Sequence, residues 1–361
     1  MTYDLICVGA GPTGLACAME AVRAGLKPLV IDKGAFCNSL YYYPTNMLFF
    51  TTSDKMEIGD LPMSITADKP TRSEALKYYR KAAEFYHLDV RLYESVERIE
   101  RVGSLGNMTG GFAVHTLRAN GAAEVYRATR VVIATGYYDR PRPMGVPGED
   151  LPHVSHYYRE AHPCWQQDVV VIGGKNSAAE TALDLFRGGA RVTLVHRHAA
   201  VSDRIKYWVK PDIENRIEAG EIQACFSSRV TRIEPGKVWV APVNGRTSAA
   251  APRSAEAAAP MADPIASPIA TRIDGERSIP AAFVFAMTGY NPDFEFLKRQ
   301  GIRLDPATQK PELNPETLET NVPGLYVAGV VVGGLQTGEI FIENGRFHGK
   351  QIIAAIRGTI R

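Results

Sequence analysis

Two glycine-rich turns each close a short apolar run and open a helix of small residues. The first reads Leu5-Ile6-Cys7-Val8-Gly9-Ala10-Gly11-Pro12-Thr13-Gly14 and runs on into Leu15-Ala16-Cys17-Ala18. The second reads Val169-Val170-Val171-Ile172-Gly173-Gly174-Lys175-Asn176-Ser177-Ala178-Ala179. A strand–turn–helix of this kind aims backbone N–H groups and a helix N-terminus at a pyrophosphate. One such turn is also ordinary α/β punctuation. Two in a chain of 361 residues suggest two dinucleotides, and the commonest reason for two is electron transfer between them.

Each turn is followed, at the same interval, by a candidate ribose reader. After Gly9 it is Asp32, at the end of the run Pro28-Leu29-Val30-Ile31. A carboxylate there can accept hydrogen bonds from both hydroxyls of an adenosine ribose, as in FAD or NAD. After Gly173 it is His196, at the end of Arg191-Val192-Thr193-Leu194-Val195, and Arg197 follows. A cationic pair suits a 2′-phosphate, which a guanidinium can grip bidentately. The first site is therefore expected to take FAD and the second to prefer NADPH. The first turn has the full G-x-G-x-x-G spacing, whereas the second has Lys175 at the middle position and Ala178 at the last.

Three further segments repeat one shape, an apolar run ending in a tight turn. They are Val131-Val132-Ile133-Ala134-Thr135-Gly136, Phe283-Val284-Phe285-Ala286-Met287-Thr288-Gly289, and Leu325-Tyr326-Val327-Ala328-Gly329-Val330. They look like the crossover and C-terminal flavin motifs of the two-dinucleotide flavoproteins, in which the NADPH domain is inserted into the FAD domain. The expected fold class is α/β, with two nested Rossmann-like domains. Residues 1–140 and 288–361 are read as the FAD-binding domain, 141–164 as a Pro-rich linker, and 165–287 as the NADPH-binding domain. Within the last, 241–275 is rich in Ala, Pro and Ser. It is read as a flexible inserted loop, because such a composition buries too little apolar area to offset its ordering entropy.

Longer blocks narrow the resemblance. Cys37-Asn38-Ser39-Leu40-Tyr41-Tyr42-Tyr43-Pro44, Ser155-His156-Tyr157-Tyr158, Gly173-Gly174-Lys175-Asn176-Ser177 and Ile340-Phe341-Ile342-Glu343-Asn344-Gly345-Arg346-Phe347-His348-Gly349 together resemble the YpdA-type bacillithiol disulfide reductases. These are thioredoxin-reductase-like flavoproteins of low molecular weight. The resemblance implies FAD, NADPH and reduction of the disulfide of a low-molecular-weight thiol. It sets Gly9, Gly11, Pro12, Thr13, Gly14, Asp32, Lys33, Asn38, Ser39, Thr135, Gly136, Gly329, Val330, Ile340 and Phe341 around the flavin cofactor. It sets Gly173, Gly174, Asn176, Ser177, His196, Arg197 and Gly289 with the nicotinamide half of the enzyme. Lys33 also reads as a plain surface lysine, and Asn38 and Ser39 as residues of an ordinary turn.

Two positions depart from related patterns. Val330 stands where thioredoxin reductases carry an Asp that holds the flavin ribityl chain. Thr13 stands where bacillithiol reductases of this type resemble Gly-x-Gly-Pro-Cys-Gly, that Cys being the proposed thiol of the reaction. The five cysteines, at 7, 17, 37, 164 and 225, form no C-x-x-C and no Cys/His metal spacing. Cys37, in a loop beside the flavin-lining segment, is the candidate redox thiol.

A capping box, Thr71-Arg72-Ser73-Glu74, opens a helix through Tyr86, and another helix is expected from about Gly338 to Arg357. The formal charge of +2 makes no electrostatic case for nucleic acid or an anionic membrane. No apolar run approaches the roughly 18 residues of a membrane helix, and no secretory signal is read, so a cytoplasmic enzyme is expected. The expected partners are a small-molecule electron acceptor, a redox protein as a further option, and a second copy in a homo-oligomer. A quinone or ferredoxin acceptor, or a flavin-bound redox sensor without turnover, are the alternatives.

Replacing residues 246–270 by a short Gly/Ser linker is expected to leave flavin binding and NADPH reduction nearly intact. Loss of soluble folded protein on that deletion would show that the segment packs.

Overall fold

A computed structural model describes residues 2–103, 110–243 and 275–360. The inserted segment 244–274 falls outside the described residues. The chain divides into two compact units, Met1–Arg140 with Tyr290–Arg361, and Pro141–Gly289.

The first unit opens with β1 (Thr2–Val8), α1 (Pro12–Arg23), β2 (Pro28–Ile31), α2 (Asn38–Tyr41), α3 (Arg72–Phe85), β3 (Asp89–Arg91), β4 (Glu94–Val102), β5 (Gly111–Arg118) and β6 (Ala123–Ile133). The second unit holds β7 (Val154–Ser155), β8 (Asp168–Ile172), α4 (Asn176–Arg187), β9 (Arg191–Val195), α5 (Lys210–Glu218), β10 (Gln223–Cys225), β11 (Ser228–Glu234), β12 (Lys237–Pro242), β13 (Arg277–Pro280) and β14 (Phe283–Ala286). The chain then returns to the first unit through α6 (Phe294–Arg299), β15 (Leu325–Val327), α7 (Ile342–Gly345) and α8 (His348–Ile360).

In the first unit a seven-stranded sheet runs β3-β2-β1-β6-β5-β4, with β15 also on β6. Strand β6 serves three partners along its length. Its start pairs antiparallel with β5, and its end lies parallel between β1 and β15. The register places the site: Val8 pairs with Ile31 and Ile133, and Ile133 pairs with Val327. Gly9, Asp32, Ala134 and Ala328 therefore leave the sheet along one edge. The central strands are apolar on both faces because helices cover one and the β4–β6 meander the other. Leu29, Ile31, Val131 and Ile133 have no exposed surface, each burial stabilising by about 1.5–3 kcal/mol.

The second unit repeats the arrangement. Its parallel sheet runs β10-β9-β8-β14-β7, with a three-stranded antiparallel sheet, β11-β12-β13, packed on it. Ile172 pairs with Val195 and Ala286, and Val195 with Cys225, so Gly173, His196 and Met287 again share one edge.

Four expectations change. Residues 141–164 belong to the second unit, because Val154 and Ser155 of β7 pair with Val284 and Phe285. The return to the first unit falls at Tyr290, so Thr288 and Gly289 stay with the second. Ala241 and Pro242, read as loop, are the end of β12, paired with Arg229 and Ser228. The C-terminal helix is two helices, and α7 is a single turn. No helix among the described residues is long and apolar enough to cross a membrane.

Helix α3 starts where its capping box places it. Thr71 Oγ1 accepts the Glu74 N–H at 3.2 Å, and Glu74 Oε2 accepts the Thr71 N–H at 2.8 Å. The helix buries Ala75, Tyr79, Ala82 and Ala83. Thr71→Ala is expected to cost about 1 kcal/mol in equilibrium unfolding of the first unit, while Ser73→Ala is neutral. Equal effects would show that the cap is not what starts the helix.

Candidate functional site

The two turns match bond for bond. Gly9 N–H donates to the Ile31 carbonyl at 2.7 Å, and Gly173 N–H to the Val195 carbonyl at 3.0 Å. The Ala10 carbonyl accepts from Cys37 N–H at 3.1 Å, and the Gly174 carbonyl from Ser202 N–H at 2.8 Å. Gly9 has φ +115°, and a methyl on it would stand 2.4 Å from the Ala134 oxygen. A methyl on Gly14 would stand 2.0 Å from the Gly9 oxygen, so helix and strand close only on glycine. At Gly11 a methyl would meet nothing within 4 Å, which leaves this face of the turn open. Pro12 takes the first position of α1, where its missing N–H costs no helical bond.

Asp32 lies under the first turn. Its Oδ2 accepts the Ala10 N–H at 2.7 Å and its Oδ1 the Gly34 N–H at 2.8 Å. Burial pushes its pKa up, and these donors pull it back. Lys33 pairs with Asp139 at 3.0 Å on the surface. Asn38 Oδ1 accepts the Ala35 N–H at 3.1 Å, which staples the loop before α2. Ser39 Oγ lies 3.9 Å from where a methyl on Gly136 would stand, so the loop and the Thr135–Gly136 turn meet. Beside them, Tyr138 lies against Tyr290 at 4.4 Å and meets Tyr43 edge-on at 4.9 Å.

Thr13 is wedged between two glycines. Its Oγ1 is 3.1 Å from the place of a methyl on Gly329 and 3.1 Å from that of one on Gly345. Gly329 begins a tight 3-10 turn, Gly329–Gly333, which includes Val330. The Gly329 N–H donates to His348 Nδ1 at 3.0 Å, and burial lowers the His348 pKa. His348 is thus a neutral positioning group with its proton on Nε2. Ile340 and Phe341 precede the helix and do not begin it. The Phe341 N–H is capped by Asn344 Oδ1 at 2.7 Å, and α7 spans only four residues. The helix expected from about Gly338 therefore begins only at Ile342.

Cys37 is corrected by its surroundings. It is fully buried among Leu15, Met19, Leu40 and Tyr79, and burial, then the Asp32 carboxylate, pushes its pKa well above the ordinary thiol value. It holds the turn through its backbone, as Ser202 does in the second unit. All five cysteines are free and buried. A thiol in such a place is neither a thiolate nor reachable by substrate.

The second reader differs from the first in charge and bulk. The His196 ring lies on Gly174, where a methyl would stand 2.3 Å from Nε2. Gly174 is there to clear the imidazole; Ala10 suffices under the smaller carboxylate of Asp32. Burial, then His198 and Arg197, lower the His196 pKa to about 4. The expected cationic pair is thus one cation, Arg197, beside a neutral ring. Asn176 Oδ1 accepts the Lys206 N–H at 2.8 Å, which ties the 199–209 loop to the turn, and Ser177 is exposed in the first turn of α4. Gly289, with φ +92°, accepts the Arg142 N–H at 2.9 Å.

Sequence reading missed Glu180 and His198. Glu180 sits on α4 beside the buried Ala178, Ala179 and Ala182, and burial raises its pKa to about 7, against a lowering pull from Lys206. A carboxylate within an apolar helix face is the signal that could have found it. Among the described residues no cluster of His, Cys, Asp and Glu could hold a metal ion.

Two nested sheets with a nucleotide-type turn at the edge of each define a two-nucleotide oxidoreductase. A family model for the pyridine nucleotide-disulphide oxidoreductases matches residues 6–253 and 267–329, and the chain belongs to that family. It is 41% identical over 97% of its length to bacilliredoxin reductase Bdr of Bacillus subtilis (strain 168), covering 96% of that protein. The solved structure of bacillithiol disulfide reductase Bdr (YpdA) from Bacillus cereus superposes with a TM-score of 0.87 at 38% identity, over 99% of this chain and 100% of that one. Thioredoxin reductase from T. acidophilum shares the fold, with a TM-score of 0.70 at 21% identity over 100% and 99% of the two chains. The chain is thus a thioredoxin-reductase-like enzyme, and its family implies a flavin and a pyridine nucleotide.

Glu180 makes stability depend on pH with a definite sign. Its folded pKa of about 7 lies above the unfolded value, so folding is weakened as pH rises from the unfolded pKa through the folded one. Glu180→Gln removes the charge. Its gain over the parent is expected to be nil near pH 4 and up to about 3 kcal/mol near pH 8. Denaturant unfolding at the two pH values checks this, and a gain independent of pH would contradict it.

Proposed function

We propose that this chain is an FAD-dependent, NADPH-oxidising reductase whose electrons leave the flavin without help from a thiol of the chain. The first unit fits FAD. The turn is open at Gly11, Asp32 presents a carboxylate at the strand edge, and Ser39, Thr135, Gly136, Gly329 and Val330 line the same edge. Bound there, the flavin supplies a two-electron carrier. The second unit fits a pyridine nucleotide at Gly173–Ser177, with Arg197 in place of a ribose carboxylate and therefore a preference for NADPH. Gly9 and Gly14 hold the first turn closed. His348 fixes the Gly329 backbone, and Asn176 fixes the loop that follows Arg197.

Thr13 carries the reading of the second half-reaction. Its hydroxyl fills the space between Gly329 and Gly345, and it cannot form a mixed disulfide. The relatives' names make bacillithiol disulfide or bacilliredoxin the first acceptors to test. A quinone, a ferredoxin or another acceptor that takes electrons directly from a flavin is the second reading, favoured by the burial of every thiol.

The purified protein is expected to be yellow with one FAD, and Asp32→Ala to lose it on gel filtration. NADPH is expected to reduce the flavin much faster than NADH, and Arg197→Ala to cut that preference about tenfold or more. Equal kcat/KM for the two nucleotides in the parent would contradict the assignment. Cys37→Ser is expected to leave turnover with every acceptor unchanged, and Thr13→Cys to raise turnover of bacillithiol disulfide. Loss of disulfide turnover in Cys37→Ser, with flavin reduction intact, would return the chemistry to a thiol of this chain.

A further inference from the structure

The residues after β9 form a cluster that one guanidinium and two imidazoles share. The His196 and His198 rings are 5.0 Å apart at 67°. Arg197 Nε donates to His198 Nε2 at 3.3 Å, so His198 accepts there and carries its proton on Nδ1. Arg197 and His198 are exposed, and His196 is half-buried on Gly174.

Among the described residues, the neighbouring elements add no carboxylate contact to the rings. From β10 the Cys225 carbonyl accepts the His196 N–H at 3.0 Å. From β11 the Ser228 N–H donates to the His196 carbonyl at 3.1 Å, and before it the Ser227 N–H donates to that of His198 at 2.8 Å. Lys175 follows Gly174 at the start of α4. The loop tied down by Asn176 brings Arg204 and Lys206, while Asp203 is engaged with Lys210 at 3.0 Å. The cluster therefore holds a fixed cation, Arg197, a half-buried ring, His196, and a second ring, His198, whose Nε2 accepts from the guanidinium.

We infer that this cluster reads the adenosine 2′-phosphate by taking up a proton, with His198 as its third member. The inference rests on the NADPH assignment above and adds the means of recognition. A phosphate dianion draws the Arg197 guanidinium into bidentate contact, which frees His198 Nε2. A proton from solvent then adds to one of the imidazole nitrogens, because a ring beside a dianion is favoured in its charged form. Burial, which disfavours the charged form of His196, makes the proton specific to the phosphorylated nucleotide. A nucleotide with a free 2′-hydroxyl offers no such charge and recruits no proton.

The test is isothermal titration of the oxidised, FAD-loaded protein with 2′,5′-ADP and with AMP, in Tris and in HEPES. At pH about 7.5 the phosphate is already ionised, so it does not itself release a proton. The heat for 2′,5′-ADP is expected to differ between the buffers by about half a proton or more per site, and that for AMP to be the same in both. Arg197→Ala is expected to weaken 2′,5′-ADP binding and keep the proton. The double variant His196→Asn, His198→Asn is expected to lose it. Tighter binding of 2′,5′-ADP than of AMP with equal heats in the two buffers would overturn the inference and leave the NADPH assignment standing. Equal affinities would instead overturn the assignment. Proton uptake that survives in the double variant would place the proton elsewhere and also overturn the inference.

Discussion

The closeness of helix and strand at the first turn governs the rest of the first unit. A methyl on Gly14 would stand 2.0 Å from the Gly9 carbonyl oxygen, and one on Gly9 would stand 2.4 Å from that of Ala134. Those clearances seat α1 on the end of β1 and set Gly11 outward. They also lay the ends of β1, β2, β6 and β15 in one line, so that a carboxylate from the second strand and a glycine turn from the last reach the same edge. The second unit meets the same constraint by another route. A methyl on Gly173 would still stand 2.7 Å from the Met287 oxygen, but Ala178 carries its own methyl where the first turn has Gly14.

The two units then part in chemistry at a single position. Under the first turn a carboxylate accepts two backbone N–H groups and keeps lone pairs for a diol. Under the second an imidazole fills the space beside Gly174 and leaves positive charge to its neighbour. On the proposed reading, one residue thus sets the ligand preference of each unit, and at the second turn one glycine accommodates it. The opposite economy holds for sulfur. No cysteine stands at a surface or in a pair, so the flavin is the only two-electron carrier that this account gives the chain.

Much of this was readable from the residue order, and for a physical reason. A strand that ends at a turn must present its next residue at the sheet edge, so spacing alone placed Asp32, His196, Thr135 and Gly329 at the ends of their strands. The capping box of α3 was equally local. What could not be read was whatever depends on burial by distant parts of the chain. Cys37 sits in a loop by sequence but is enclosed by α1 and α3. His196 beside Arg197 reads as cationic, yet its ring loses water and charge together. The C-terminal helix breaks at Arg346 and Phe347, where Arg346 turns to donate to the carbonyls of Asp54 and Glu57 at 2.6 and 2.9 Å. Glu180 takes its character from the apolar face around it.

The central claim is that electrons pass through the flavin alone. An anaerobic reductive titration of the FAD-loaded protein counts them directly. Full bleaching of the flavin at two electrons per FAD is expected, with no further uptake and no gain in accessible thiols. Uptake of four electrons, or the appearance of two new titratable thiols, would show a dithiol–disulfide couple in the chain and contradict it.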